Sequence, residues 1–195
     1  MLITIVDCDQ ETFTEEHEIT ARDGLELRRS QARTEQEVIA AAEGAEGILV
    51  QYAPITAQVM DALPDLRAIG RYGVGVDTVD VEAATARGIA VCNVVDYGTE
   101  DVSDHAIALA LTCARGTARF DRRIRTGEHD LAPVKPLHRL STRTVGILGL
   151  GRIGRATGAK ARALGCRVLG SDPTIEPGTT TEEGIETVDQ DTLLA

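Results

Sequence analysis

The sequence is poor in aromatic residues, which make up 3 % of its 195 positions and include no tryptophan. Hydrophobic residues nevertheless make up 43 %, so a folded core has to be built mainly from Val, Ile, Leu and Ala. No run approaches the roughly 18 apolar residues that a membrane-spanning helix needs. The composition therefore predicts a globular protein with an aliphatic core and no membrane partner.

Basic residues are fewer than acidic ones: the sequence has 20 Lys and Arg and 31 Asp and Glu, which gives a formal net charge of −11. Direct nucleic-acid binding depends on clustered Lys and Arg, so this balance argues against a nucleic-acid partner. The acidic residues are spread along the chain rather than gathered in one run, which is typical of a solvated anionic surface.

The four cysteines form no CxxC and no other metal-binding spacing; they are Cys8, Cys92, Cys113 and Cys166. The N-terminal stretch MLITIVDCDQ has no basic residue ahead of its apolar run, so it predicts a strand rather than a secretory signal. We therefore expect free thiols, no metal site and a cytoplasmic location.

Short apolar runs alternate with segments of helical spacing along the first half of the chain. Strands are predicted at 2–6, 47–51, 66–73 and 89–93. Helices are predicted at 34–44, 56–63 and 81–88. Alternation of this kind indicates right-handed βαβ crossovers and a mostly parallel sheet. We interpret residues 1–98 as one α/β domain.

A long helix is predicted next, over residues 99–125. Thr99 can cap its N-terminus, and the arginines near its other end suit the negative end of the helix dipole. Its middle, AIALALTCA, is apolar nearly all round, which predicts burial on more than one face. A polar connector follows at 126–143, and a second βαβ unit begins at TVGILG. We interpret residues 99–195 as a second domain.

The stretch TVGILGLGRIGRATGAK places a glycine-rich turn between a predicted strand and a predicted helix. Its GxGxxG glycines are Gly149, Gly151 and Gly154. Gly149 permits the tight turn, Gly151 lets a diphosphate approach the backbone, and Gly154 lets the helix pack close to the sheet. The N–H groups of Arg152 and Ile153 would then face the anion at the positive helix end.

Asp172 follows the next predicted strand, 18 residues beyond Gly154. A carboxylate there accepts hydrogen bonds from a ribose 2′-hydroxyl and repels a 2′-phosphate, which favours NAD over NADP. The alternative is a glycine-rich turn with an acid in an ordinary surface loop. The strand, turn and helix around the glycines favour dinucleotide binding.

The chain resembles the D-isomer-specific 2-hydroxyacid dehydrogenases, the family of D-3-phosphoglycerate dehydrogenase and the C-terminal-binding-protein corepressors, and the corepressor-like branch is the most similar. The resemblance rests on stretches that follow the family's order across essentially the whole chain. They are ILVQYAPIT, RYGVGVDTVD, GIAVCNV, TEDVSDHAIALAL, TVGILGLGRIG and VLGSDP. It implies an α/β fold, with a flavodoxin-like substrate domain over 1–98 and the first half of a Rossmann NAD-binding domain over 99–195.

The resemblance also implies that the YGVG loop offers main-chain N–H groups to the substrate carboxylate and borders the nicotinamide. In this sequence the loop contributes Val74 and Gly75, with Arg71 nearby; a plain strand-to-helix turn is the alternative. Val102 matches the position that lines the nicotinamide side. Tyr52 follows a strand and can reach a substrate cleft, although an ordinary loop tyrosine explains it equally well.

Catalysis in this family uses three residues: an Arg in an SRG-like segment, a Glu, and a His that acts as acid and base. All three lie downstream of the matched region, and no SRG segment occurs in this sequence. The resemblance therefore implies that this chain contains no catalytic residue. Its histidines are explained by packing or solvation; they are His17, His105, His129 and His138. Thr78 stands where relatives commonly carry Asn, which should change only local turn bonding.

The leading interpretation is an NAD-dependent oxidoreductase that acts on the CH–OH group of a small D-2-hydroxy acid, or reduces the 2-keto acid. We expect this chain to be a C-terminally truncated part of it, inactive alone, and the full-length protein to be a homodimer. A non-catalytic NAD-binding or corepressor-like interaction module stays open as the alternative. A Rossmann enzyme of the adenosylhomocysteinase type is disfavoured by the early position of YGVGVDTVD.

Overall fold

The computed structural model describes all 195 residues and divides them into two compact units, Met1–Tyr97 and Gly98–Ala195. The first unit contains a five-stranded, fully parallel sheet in the order β2-β1-β3-β4-β5, which is the flavodoxin-like order. Its strands are β1 (Leu2–Ile5), β2 (Glu26–Arg29), β3 (Gly47–Val50), β4 (Ala68–Arg71) and β5 (Ala90–Cys92). The α/β fold expected from the sequence is confirmed.

Four helices connect these strands: α1 (Thr14–Arg22), α2 (Glu35–Ala41), α3 (Ala57–Ala62) and α4 (Val81–Ala86). Three of them begin at a side chain that caps the first turn. Thr34 and Glu37 form a capping box on α2, Thr56 accepts a hydrogen bond from the N–H of Val59 on α3, and Asp80 accepts one from Ala83 on α4. These caps satisfy N–H groups that have no partner inside the helix.

The core of this unit is aliphatic, as the scarcity of aromatic residues requires. The central strands β1, β3 and β4 contribute residues that are almost fully buried, among them Val6, Ile48, Val50 and Ile69. A second, smaller cluster joins Ile5 and Cys8 to Phe13 on the other side of the sheet. Parallel strands are usually covered on both faces, which accounts for their continuous apolar runs.

The second unit begins with two helices, α5 (Thr99–Arg115) and α6 (Thr117–Arg125), and a connector with two short 3₁₀ turns. A parallel three-stranded sheet follows in the order β6-β7-β8, with one helix after β6 and one after β8. These elements are β6 (Thr144–Leu148), α7 (Arg152–Ala163), β7 (Arg167–Ser171), β8 (Glu186–Thr187) and α8 (Gln190–Leu194). None of the helices in the chain is both long and apolar enough to cross a lipid bilayer.

The prediction of one continuous helix over 99–125 is wrong. Gly116 adopts a left-handed conformation with φ of +64°, which ends α5 and starts α6. The predicted cap is also wrong, because Gly98 holds the N-cap position, Thr99 is already helical, and no side chain caps this end.

The apolar middle of α5 is not buried on more than one face, contrary to expectation. Ser103 is the one buried residue of this helix, and Leu109 is 54 % exposed. A polar contact joins α5 to α7: the Lys160 ammonium on α7 donates to Ser103 Oγ at 2.7 Å and to the carboxylates of Asp104 and Glu100. The two helices therefore pack along one side of α5 only.

One buried hydroxyl in β1 has no hydrogen-bond partner, and this gives a test of the fold. Thr4 is fully buried, and its Oγ1 atom is unpaired. Val has the same shape without the hydroxyl, so Thr4→Val should raise the free energy of unfolding by about 1 kcal/mol, measured by urea titration followed by circular dichroism. Thr20→Val is the control, because the Thr20 hydroxyl donates to the Glu16 carbonyl at 2.6 Å; an equal gain in both variants would contradict the explanation.

Candidate functional site

The glycine-rich turn between β6 and α7 is the centre of the candidate cofactor site. The chain leaves β6 at Leu148 and reverses at Gly149, which has φ of +91° and donates its N–H to the Ser171 carbonyl at 2.8 Å. A residue with a side chain would be strained in this backbone conformation. The turn brings the start of α7 directly above the carboxyl ends of β6 and β7.

Gly154 and Gly151 lack a side chain for different physical reasons. A Cβ atom on Gly154 would overlap the carbonyl oxygen of Gly149, so the helix can approach the strand only because this position is bare. A Cβ atom on Gly151 would meet nothing within 4 Å, and its φ of −69° suits any residue. No protein atom near Gly151 excludes a side chain at this position. The backbone at 151 is therefore open to a molecule that approaches from solvent.

The N-terminus of α7 has neither a side-chain cap nor an acidic residue in its first turn. Gly151 holds the N-cap position, and Arg152 and Ile153 are the first two residues of the helix. A helix end of this kind attracts anions through its N–H groups and its dipole.

Asp172 lies beside this turn, immediately after β7. Its Oδ2 atom accepts a hydrogen bond from the N–H of Leu150 at 2.8 Å, and its Oδ1 atom accepts from the N–H and the hydroxyl of Thr174. The Thr174 hydroxyl and N–H, and then the Leu150 N–H, hold the pKa of Asp172 below its ordinary value. The carboxylate is therefore charged at neutral pH and tied to the glycine loop.

A cleft of about 650 Å³ opens beside Asp172 at the carboxyl ends of the three strands. Its walls include Leu148, Gly149, Asp172, Ile175 and Val188. The volume is in the usual range for small-molecule and cofactor sites. The lining combines apolar side chains with the acidic residues Asp172, Glu176 and Asp189, and carboxylates of this kind can accept hydrogen bonds from the hydroxyls of a sugar.

In the first unit, the predicted substrate loop follows β4. The Arg71 guanidinium folds back over Gly73, where a Cβ atom would overlap its Nη1 atom, and the Nε atom of Arg71 is buried without a partner. Asn93 Nδ2 donates to the Val74 carbonyl at 2.6 Å and holds the loop beside the end of β5. Val74 and Gly75 remain exposed at the carboxyl edge of the sheet.

Tyr52 lies on the neighbouring loop, after β3, and is 58 % exposed. The loop is organised by Asp7, a buried carboxylate that the sequence interpretation did not identify as a site residue. Asp7 Oδ1 accepts from the N–H of Gln51 at 2.9 Å, and Oδ2 accepts from the N–H groups of Tyr52 at 2.7 Å and Ala53 at 3.2 Å. The signal available in the sequence was its position directly after the first apolar run.

Within each unit, the structure brings the predicted residues together at the carboxyl ends of parallel strands. The loops carrying Tyr52 and Arg71 follow the paired strands β3 and β4. The glycine loop and Asp172 are joined by a hydrogen bond. Val102 is exposed in the first turn of α5.

The chain belongs to the D-isomer specific 2-hydroxyacid dehydrogenase family, because the model of that family's catalytic domain matches residues 2–195. It is 36 % identical over 175 residues to a D-3-phosphoglycerate dehydrogenase of Archaeoglobus fulgidus, covering 89 % of this chain and 33 % of that protein. It is 40 % identical over 144 residues to a glyoxylate reductase of Korarchaeum cryptofilum, covering 72 % and 43 %. The chain thus spans about a third of the length of its D-3-phosphoglycerate dehydrogenase relatives.

Solved structures agree with this family. The TT0316 protein from Thermus thermophilus is 30 % identical, with a TM-score of 0.84, and the match covers 100 % of this chain and 61 % of that one. A D-lactate dehydrogenase from Aquifex aeolicus, complexed with NAD and lactic acid, is 25 % identical, with a TM-score of 0.83 and coverage of 99 % and 57 %.

The bonds to Asp172 predict a dependence of stability on pH. Because the pKa of this carboxylate lies below the ordinary value of about 3.9, its charge stabilises the folded chain above pH ~4, and this contribution is lost as pH falls through the lowered pKa. Asp172→Asn should therefore destabilise the second unit at neutral pH and progressively less in acid, measured by urea unfolding of the β6 and β7 amide signals in NMR spectra.

Asp191→Asn is the matched control, because Asp191 is an exposed carboxylate on α8 whose side chain accepts no hydrogen bond from the glycine loop. We expect its effect to be smaller at neutral pH. An Asp172→Asn effect that stays constant from neutral pH to acid would show that the hydrogen bonds do not depend on the charge of the carboxylate.

Proposed function

We propose that this chain is the part of a nicotinamide-dependent 2-hydroxyacid oxidoreductase that holds the substrate carboxylate and the adenosine diphosphate portion of the cofactor. The observation that carries the proposal is the open, side-chain-free approach at Gly151 above an uncapped helix, beside a charged carboxylate at Asp172. Membership of the dehydrogenase family supports the same activity. The relatives named above act as D-3-phosphoglycerate dehydrogenase and glyoxylate reductase.

The second unit would bind the cofactor. Gly149, Gly151 and Gly154 shape the loop, and the N–H groups of Arg152 and Ile153 receive the diphosphate at the positive end of α7. Asp172 receives the ribose hydroxyls. Its oxygens already accept three hydrogen bonds, but a carboxylate offers about four lone-pair positions, so one remains for a sugar.

The same carboxylate supports a preference for NAD over NADP. Asp172 is charged at neutral pH, and a 2′-phosphate placed beside it would be repelled. The charge of Arg155 acts on Asp172, and the Arg155 guanidinium pairs with Glu183 at 3.5 Å. This pairing reduces the attraction that Arg155 could offer to a phosphate.

The first unit would hold the substrate. The N–H groups of Val74 and Gly75 bind the carboxylate of the 2-hydroxy or 2-keto acid, Arg71 adds positive charge, and Tyr52 borders the cleft. Val74 and Val102 line the nicotinamide side. A bound nicotinamide would supply the hydride in reduction of the 2-keto acid, or accept it in oxidation of the 2-hydroxy acid, and the loop at 73–75 would hold the acid by its carboxylate.

The groups that manage the proton and polarise the carbonyl belong, in this proposal, to a region of the family outside these 195 residues. None of the four histidines is buried, and none lines the cleft beside Asp172. We therefore assign no catalytic residue to this chain.

We also propose that the full-length protein is a cytoplasmic homodimer acting on a small 2-hydroxy or 2-keto acid, with no direct nucleic-acid or membrane partner.

Two glycine variants separate cofactor binding from folding. Gly151→Ala should cost the chain at most about 1 kcal/mol, because its Cβ atom enters open space and alanine is only less favoured than glycine at an N-cap. It should weaken NADH binding about tenfold or more by blocking the diphosphate. Gly154→Ala should lower the stability of the second unit by roughly 1–3 kcal/mol, because its Cβ atom overlaps the Gly149 carbonyl. NADH fluorescence titration and urea unfolding measure the two effects.

The same titration tests the choice of cofactor, because the wild-type chain should bind NADH more tightly than NADPH. Asp172→Asn should bring the dissociation constants of NADPH and NADH closer together, because it removes the repulsion of the 2′-phosphate. If Gly151→Ala binds NADH as well as the wild-type chain does, the glycine loop is not the diphosphate site and the proposal fails.

A turnover assay tests the placement of the catalytic groups. Residues 1–195 alone should give no NADH oxidation above background with glyoxylate, pyruvate and other 2-keto acids. The glyoxylate reductase of Korarchaeum cryptofilum, assayed in parallel with glyoxylate, serves as the positive control. Clear turnover by this chain would place an acid/base group within it and contradict the assignment.

A further inference from the structure

A second polar cleft, of about 420 Å³, lies in the first unit at the carboxyl ends of β1, β2 and β3. It is lined by Asp7, Asp9, Gln31, Ala32, Arg33, Tyr52 and Ala53. In the strand order β2-β1-β3-β4-β5, the chain changes direction between β1 and β3, and this cleft lies at that switch point. Open parallel sheets bind ligands at such points, outside the carboxyl ends of the strands.

The walls of the cleft are held by hydrogen bonds within the protein. Asp7 uses its carboxylate to bind the three N–H groups of residues 51–53. The Gln51 side chain accepts from the N–H of Asp9 at 2.7 Å and donates to the Tyr52 hydroxyl at 2.9 Å. The loops after β1 and β3 are therefore tied together before any ligand arrives, which lowers the entropy cost of binding.

Two side chains of opposite charge face this cleft without an ion-pair partner. Asp9 and Arg33 bond through their backbone N–H groups, to Gln51 Oε1 and Glu37 Oε2 respectively, but neither the Asp9 carboxylate nor the Arg33 guanidinium has an oppositely charged group within 4 Å. They do not pair with each other, although both line the same space. The Tyr52 hydroxyl accepts from Gln51 and keeps its own proton to donate.

We propose that this cleft binds a small zwitterion of the α-amino-acid class. The ligand carboxylate meets the Arg33 guanidinium and the Tyr52 hydroxyl, and its ammonium group meets the Asp9 carboxylate. Arg suits this role because its planar fork can bind a carboxylate with two hydrogen bonds. The volume accommodates an amino acid and lies in the usual range for small-molecule sites.

The opposite charges also exclude simpler ligands. A plain carboxylate gains from Arg33 and is repelled by Asp9 and Asp7. A plain amine gains chiefly from Asp9, because the buried Asp7 carboxylate already accepts three N–H groups, and it is repelled by Arg33. Only a molecule with both charges gains from both side chains, so the cleft discriminates by attraction and by repulsion. The cleft shares Tyr52 with the proposed substrate site, but residues 71–75 are not part of its lining, so a 2-keto acid bound at Val74 and Gly75 lies outside it.

NMR titration of the ¹⁵N-labelled chain tests the proposal. Glycine should shift the amide signals of Asp9, Arg33 and Tyr52 in a saturable way, while acetate and methylamine, titrated separately, should bind about tenfold more weakly or not at all. Asp9→Asn and Arg33→Gln should each weaken glycine binding by about tenfold.

Asp65→Asn and Arg67→Gln make the same charge changes near the amino end of β4, at the opposite edge of the sheet, and should leave glycine binding unchanged. The proposal is overturned if glycine and acetate give equal saturable shifts, or if glycine gives none. It is also overturned if Asp9→Asn and Arg33→Gln both bind glycine as well as the wild-type chain does. NADH binding and its loss in Gly151→Ala report on the other unit, so failure of this site is distinguishable from failure of the proposed function.

Discussion

The second unit depends on one close contact, in which the first turn of α7 rests on the end of β6. The helix can approach the strand only because Gly154 has no side chain to meet the Gly149 carbonyl. That contact aims the start of α7 at the space above the strand ends, where an anion would lie. Once the helix is placed there, Gly151 becomes the point at which a ligand can reach the backbone without displacing any protein atom.

Both units secure their strand-end loops with the same device, a carboxylate directly after a strand that accepts N–H groups of a neighbouring loop. In the first unit Asp7 follows β1 and binds the loop after β3. In the second, Asp172 follows β7 and binds Leu150, in the loop after β6. Parallel strands leave loops with unpaired N–H groups at one edge of the sheet, and a charged acceptor satisfies them strongly. The groups that organise the clefts are thus also the groups that set their negative charge.

Much of this architecture could be predicted from the sequence because its signals are local. Apolar runs such as 2–6 and 144–148 become the strands β1 and β6, and Asp80 caps α4 through a hydrogen bond that spans only three residues of sequence. The glycine spacing in 149–154 likewise reports on a turn whose parts are adjacent in the chain. The binding roles of these residues, and of Val74, Gly75, Tyr52 and Val102, remain predictions that the binding experiments address.

Other features could not be predicted, because their causes are distant in the sequence. The strand β2 (ELRR) has no apolar run and forms because β1 offers it an edge, so its register comes entirely from pairing. The helix break at Gly116 was missed because glycine is tolerated inside many helices, and only the backbone conformation shows that it ends this one.

The sequence by itself determined the α/β class, the aliphatic core and the glycine turn, since each follows from neighbouring residues obeying backbone geometry and the periodicity of burial. Only the tertiary structure decided which charged side chains are hydrogen-bonded within the protein and which face a cleft without a partner. Asp7 and Asp9 lie two residues apart, yet one is 4 % exposed and bound to three N–H groups while the other faces a cleft with its carboxylate unpaired. That difference arises from a loop more than 40 residues away, which no local pattern encodes.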